Sequence, residues 1–283
     1  MTKPSFQPVG GAHAIEMMAI GIEWATPLTE TQLGDLQKVY DSAPEIRDFL
    51  PSHAPLQGFS IQHVAQFDAA KQQPQIISPP QFVTQISGFD MSQLDSAGKV
   101  SWVTSVRPPV LSCTCSVYDR WKNVKPKSLS ILQPFIDVVL SAGVKIRAIG
   151  LQYQDAFRLP DGISQEVSKE LFRQDGLWLP RHVFNEPSYW HCHQGWFSKG
   201  PTERRILNNV TTDISDVNGA CFARLGGQHR VFSTSFDAKD PIDIQGSDID
   251  EMLDFLHEQN KQVINGILSD VALESIGCSV GDA

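Results

Sequence analysis

The chain has 283 residues, a formal charge of −9 at neutral pH and a pI near 5.3. Apolar residues make up 41% and charged residues 19%, the composition of a folded globular protein long enough to bury a core without disulfide staples. The acidic balance excludes the nucleic-acid backbone and an anionic membrane as default partners, unless a local basic patch is hidden by the total.

Ala14 to Trp24 is predicted as a first strand. Thr29 and Gln32 form a capping-box pattern ahead of Leu33, Leu36, Val39 and Tyr40 at helical spacing, with the helix ending before Pro44. A short helical turn through Ile46 and Leu50 follows, and then a strand from Phe59 to Val64. The Gln- and Pro-rich stretch from Phe67 to Pro80 reads as a hairpin tip or a polyproline loop. Phe82 to Ile86 and Val100 to Val106 read as strands joined by a polar connection around Asp90 to Gly98, with a further strand at Leu111 to Tyr118.

Pro126 opens a predicted helix over Leu129, Leu132, Ile136, Val139 and Leu140, stopped by Gly143 and bent or delayed by Pro134. A strand from Val144 to Phe157, a helix-prone Ser164 to Arg173 and a turn at Trp178 to Pro180 come next. The strand bearing His191 and His193 precedes strands at Arg204 to Ile214 and Gly219 to Phe236, joined by an Asn218-Gly219 hairpin signal. Ser247 is expected to cap a long helix with the stripe Ile249, Met252, Leu253, Leu256, Val263, Ile264 and Ile267, interrupted by Asn260. A short helix from Asp270 to Gly277 ends the pattern.

This order predicts an α+β fold: a mostly antiparallel sheet in two strand–helix–meander halves, residues 1–109 and 110–283, with a long C-terminal helix and the helices on one face. The two halves are expected to form one integrated domain. The first twelve residues lack a signal-peptide pattern and no apolar run reaches membrane length, so a cytoplasmic location is the expectation. Five scattered cysteines without a C-x-x-C pair read as free thiols, with Cys113 and Cys115 on one face of a buried strand.

The densest chemistry lies at Tyr189 to Trp196. In a strand His191 and His193 share a face, where they would present two imidazoles to a divalent transition metal, while Cys192 points away with Trp190 and Trp196. His182, His229, Asp213 and Glu186 are the candidates to complete such a site. Arg120, Lys122, Lys125 and Lys127 around Trp121 are the most basic stretch, read as a solvated turn with base stacking as its functional alternative. Gly226-Gly227, flanked by Arg224, His229 and Arg230, reads as a hairpin turn and not a phosphate loop. No nucleophile elbow or Cys–His signature is present.

Several landmarks recur together: Arg120-Trp121 before a helix, Lys145 to Tyr153, Trp190-His191-x-His193-x-Gly195-Trp196, Leu256-His257-Glu258, and Ile267 to Glu274. The set resembles an uncharacterised, sporadically distributed family of bacterial and archaeal proteins of similar length, with Gln154 where that family usually has Asn. The resemblance implies a prokaryotic cytosolic protein without an assigned activity, and patchy inheritance compatible with phage defence or mobile elements. The residues together favour a non-catalytic binding or protein-interaction protein, with a protein partner or a second copy as partner. Its ligand is expected between sheet and terminal helix, near Trp121, Tyr153, His191, His193 and Trp196. A metal-dependent hydrolytic enzyme centred on His191 and His193 is the alternative, and a nucleic-acid-associated defence component the third.

Overall fold

The computed structural model describes residues 4–62, 65–68, 73–76, 81–159, 165–186, 189–235 and 243–278, with side chains outside 58–86 and position 165. It contains β1 (Gln7–Pro8), β2 (Ile15–Trp24), α1 (Glu30–Ser42), α2 (Pro44–Phe49), β3 (Ser52–Gln62), β4 (Ala65–Asp68), β5 (Gln73–Ile76), β6 (Gln81–Leu94), β7 (Val100–Val106) and β8 (Val110–Cys115). After these come α3 (Trp121–Ser141), β9 (Ile146–Arg158), α4 (Gln165–Leu171), β10 (Trp190–Lys199), β11 (Arg204–Val217), β12 (Ala220–Ser235), α5 (Ile249–Ile267) and α6 (Asp270–Ser275).

A large antiparallel sheet runs in the order β10-β11-β12-β9-β2-β8-β7-β6-β3, with β1 added beside β9 and a separate β4–β5 hairpin. The pairing of β2 with β9 makes the sheet continuous through its centre. The division expected at 109/110 falls in the turn joining β7 to β8, which are themselves paired.

Alternation decides which side of each strand is buried. Met18, Ile20, Ile22 and Trp24 on β2 face the same side as Cys113 and Cys115 on β8 and Leu151 and Tyr153 on β9. Helices α1, α2 and α3 and the start of α5 close over them, giving one core. A second core gathers Phe6, Phe157, Leu171, Phe172, Ile214, Leu225, Ile267 and Leu273 under α4, α6 and the end of α5. Both cores lie on the helix side, and α5 spans them. Its buried stripe of Ile249, Met252, Leu253, Leu256, Asn260, Val263, Ile264 and Ile267 is the one that 3.6-residue periodicity selects.

The Thr29–Gln32 capping box forms, and Asn218 and Gly219 both take positive φ in the β11–β12 hairpin. Other boundaries move. The strand expected from Phe59 begins at Ser52, with Pro55 tolerated because β3 is an edge strand. Asp90 lies within β6, paired with Ser105, and not in a connection. The hairpin expected over Phe67 to Pro80 is present as β4 and β5, while 69–72 and 77–80 lie outside the described residues.

Helix α3 starts at Trp121, where the amides of Asn123 and Val124 reach the Arg120 carbonyl, so Pro126 and Pro134 both sit inside it. Ser247 does not cap α5: it lies in a 3₁₀ turn, Gly246–Asp248, whose capping box joins Gln245 to Asp248. Gly226 and Gly227 are not a turn but the middle of β12, paired with Gln154 and Tyr153. A Cβ at Gly227 would strike the Asn260 side chain, so the glycine is what lets α5 settle on the sheet. No described helix is long and apolar enough to cross a membrane.

Candidate functional site

Three landmarks far apart in sequence converge at the N-terminal end of α3. The indole of Trp121 stacks on the His257 ring with centroids 4.6 Å apart and planes 14° apart. Its Nε1 donates to Asp254 Oδ1 at 2.8 Å, and Lys125 Nζ holds Asp250 and Asp254 at 2.8 and 2.9 Å. The Tyr153 hydroxyl lies 3.0 Å from His257 Nδ1, and the Tyr153 ring meets that of Tyr118 edge-on with centroids 5.9 Å apart. Burial pushes His257 down to about 4 and Tyr118 up to about 12, and it drives Tyr153 well above the ordinary phenol range. Burial works against Lys125 and Asp254, yet their hydrogen bonds and opposite charges hold Lys125 above, and Asp254 below, their usual values.

At neutral pH the rings of this cluster are therefore uncharged, and Tyr153 is only 1% exposed. The arrangement clasps α5 to α3 and β9. Trp121 is engaged on its indole face and nitrogen, Lys125 is ion-paired and Lys127 lies over the Phe49 ring, while Arg120 and Lys122 are exposed; the basic stretch is the first turns of α3, not a turn leading into it. His257, Asp254 and Tyr118 were missed as partners in the sequence, although Leu256-His257-Glu258 stood out as a motif.

Of the five residues expected in one pocket, the structure brings together only Trp121 and Tyr153, with ring centroids 6.5 Å apart. His191 and His193 do share a strand face, as alternation requires, but β10 is an edge strand and both rings are exposed on its outer side. Trp196 faces the other way, against Trp178 at 4.8 Å and the second core. The concavity expected between sheet and terminal helix is filled by the apolar stripe of α5.

The histidine pair also lacks completing ligands. Asp213 is the register partner of His191 on the same face, but its Oδ2 accepts from Ser215 Oγ at 2.6 Å. His229 is buried on the opposite face, with Nδ1 2.8 Å from Asn208 Oδ1 and Nε2 3.2 Å from the Asn260 amide. Among the described residues no group of three or more His, Cys, Asp or Glu side chains is placed to hold a metal ion, so the donor set does not fit one.

The open space is on the other side of the sheet. A groove of about 540 Å³ crosses β8, β2, β9 and β12 on their helix-free face. Its floor is made of small residues, Ala19, Gly21, Ser112, Ala148 and Gly150, and a Cβ at Gly21 would meet nothing within 4 Å. Thr114, Gln152 and Gln228 supply hydroxyl and amide groups along it. At one end Glu23 pairs with Arg230 and, at 3.3 Å, with Arg147. Arg147 reaches there because a β-bulge leaves it outside the register between Ala148–Glu23 and Ile146–Trp24. A matching bulge at Glu16 lets that carboxylate meet Arg224 Nε at 3.3 Å.

No family model matches the chain, and no curated protein matches it. Among solved structures, the di-domain ARO/CYC BexL from the BE-7585A biosynthetic pathway aligns over 93% of this chain and 98% of its own, at 11% identity and a TM-score of 0.17. That likeness is too slight to bear on fold or function.

Proposed function

We propose that the chain is a non-catalytic binding protein whose ligand lies on the helix-free face of the sheet. The observation that carries this reading is the groove floored by Ala19, Gly21, Ala148 and Gly150, where the same strands carry Ile20, Ile22, Leu151 and Tyr153 on their other side. Groups whose protonation burial displaces, among them Tyr153, Asp155, His229 and His257, belong to that other side. A ligand in the groove would meet amides, hydroxyls and an ion-paired rim.

The reading includes the organisation in two strand–helix–meander halves, residues 1–109 and 110–283, supported by the element order β2, α1 and then β3 to β7 in one and β8, α3 and then β9 to β12 in the other.

Amide chemical-shift mapping of the full chain with adenosine and with 4-hydroxybenzoate as probes tests the site. Shifts centred on Ala19, Gly21, Gly150 and Gln152, abolished by Gly21→Phe, are expected. Shifts elsewhere, or none with either probe, would remove the groove as the binding site.

A further inference from the structure

One end of the groove opens onto a patch that the composition conceals. Reading straight across the sheet, the register runs Phe197, Leu207, Arg230, Gly150, Gly21 and Ser112, so these residues share the helix-free face. Beside that row Lys199 pairs with Arg205 in register. The Arg205 guanidinium carbon lies 5.1 Å from the Phe197 ring centroid and 5.6 Å from that of Phe232, and Arg230 lies 5.2 Å from Phe232. Phe197 is 51% exposed.

Lys199, Arg205, Arg230 and Arg147 contribute four positive charges here. Glu203, 2.6 Å from Lys199, and Glu23, between Arg230 and Arg147, contribute two negative ones, leaving +2 among the described residues of the patch in a chain of −9. Arg205 has no carboxylate partner among the described residues. The patch at the far end is different: there Arg224 and Arg158 stand with Glu16 and Asp213, and these described charges balance to zero.

Guanidinium groups laid on phenylalanine rings, on an open sheet face beside a channel of amides and hydroxyls, match what unpaired bases and their phosphates require. Planar rings stack on the phenylalanines and arginines, the phosphates meet the surplus charge, and the base edges find Gln152, Gln228, Ser112 and Thr114. An acidic peptide would satisfy the charge and leave the ring faces and the channel without a role. We therefore propose that this face binds single-stranded nucleic acid, with Phe197, Arg205, Phe232 and Arg230 as the stacking and phosphate-binding patch and the groove taking the adjoining bases. The proposal rests on the helix-free face being the binding face, and it names the ligand.

The test is fluorescence anisotropy of the full chain with labelled oligodeoxythymidylate and oligodeoxyadenylate of about 12 nucleotides, within the span of one single-strand-binding fold. Saturable binding that weakens with salt and is lost on annealing the complementary strand is expected. Phe197→Ala and Arg205→Met should each weaken it by about tenfold, the effect of losing one stacking contact. Gly21→Phe, at a position with open space above it, serves as a second variant that leaves both stacking residues in place, and it too should weaken binding. No saturable change at about 100 µM protein, the weak end of non-specific binding, overturns the proposal. So does equal competition by polyglutamate, or binding indifferent to all three variants. If the oligonucleotides fail while adenosine or 4-hydroxybenzoate still shifts the groove amides, the ligand class is wrong and the binding face stands. If both fail, the face is wrong too.

Discussion

The two faces of the central strands β8, β2 and β9 are built from alternate residues of the same segments, yet they are opposites. On the helix side Ile20, Ile22, Cys113, Leu151 and Tyr153 are closed to solvent under α3 and α5. On the other side Ala19, Gly21, Ser112, Ala148 and Gly150 leave a floor with a charged rim. Side-chain volume on one face sets stability, and its removal on the other leaves room for a ligand. The same pleat therefore separates the part that folds the protein from the part read here as binding.

The contrast breaks most sharply by truncation. Leu151→Ala should cost about 2–5 kcal/mol in urea unfolding, because a fully buried side chain leaves a cavity under α5. Gly227→Ala should cost about 1–3 kcal/mol by driving a methyl group against Asn260. Asn260→Ala strips a hydrogen-bond partner from buried His229 and is expected to cost a similar amount. The double variant should be less destabilised than the sum, since removing the amide makes room for the methyl; strict additivity would show that the contact does not limit the packing.

Acid titration sharpens the comparison next. Burial lowers His229 and His257 to about 4, so between pH 6.5 and 4 the unfolded chain holds more protons and stability falls as pH drops. Asp155 acts in the reverse sense. Burial, and then the charge of Glu16, raises it to about 7, so the folded chain holds its proton where the unfolded one has lost it, and stability falls as pH rises from 3.8 to 7. Asp155→Asn removes that counterweight. The variant should lose stability on acidification more steeply than the parent, by at most about 1.4 kcal/mol per pH unit, measured as urea midpoints between pH 4 and 6.5. Parallel curves would show that Asp155 does not hold its proton there. The smallest effect is expected at Gly21→Ala on the open face, within about 0.5 kcal/mol, because the new methyl meets nothing.

Local pattern made much of the fold legible. The Thr29–Gln32 box, the stripe of α5 and the Asn218-Gly219 turn follow from residues within a few positions of one another. Errors came where tertiary contact overrides local preference. Gly226-Gly227 resembles a turn until α5 is placed above it, and Pro126 resembles a helix start until Arg120 accepts the amides beyond it. The histidine pair was visible as a pair, but its place on an edge strand is a property of sheet order. Trp121, Tyr153 and His257 each stood out without revealing that they meet, since 104 residues separate the last two. The groove left a trace in the alternation Met18-Ala19-Ile20-Gly21-Ile22, large residues interleaved with small ones, which identifies a face but not its neighbours.

The β2–β9 pairing has a consequence for how the protein is made. Strand β2 leaves the ribosome well before its partner, which follows more than a hundred residues later, and α5, which closes both cores, comes after both. Until then the nascent chain carries an unsealed apolar surface and an unpaired strand edge. Final packing thus waits for α5, and a ribosome stalled before Ile249 would present a chaperone substrate.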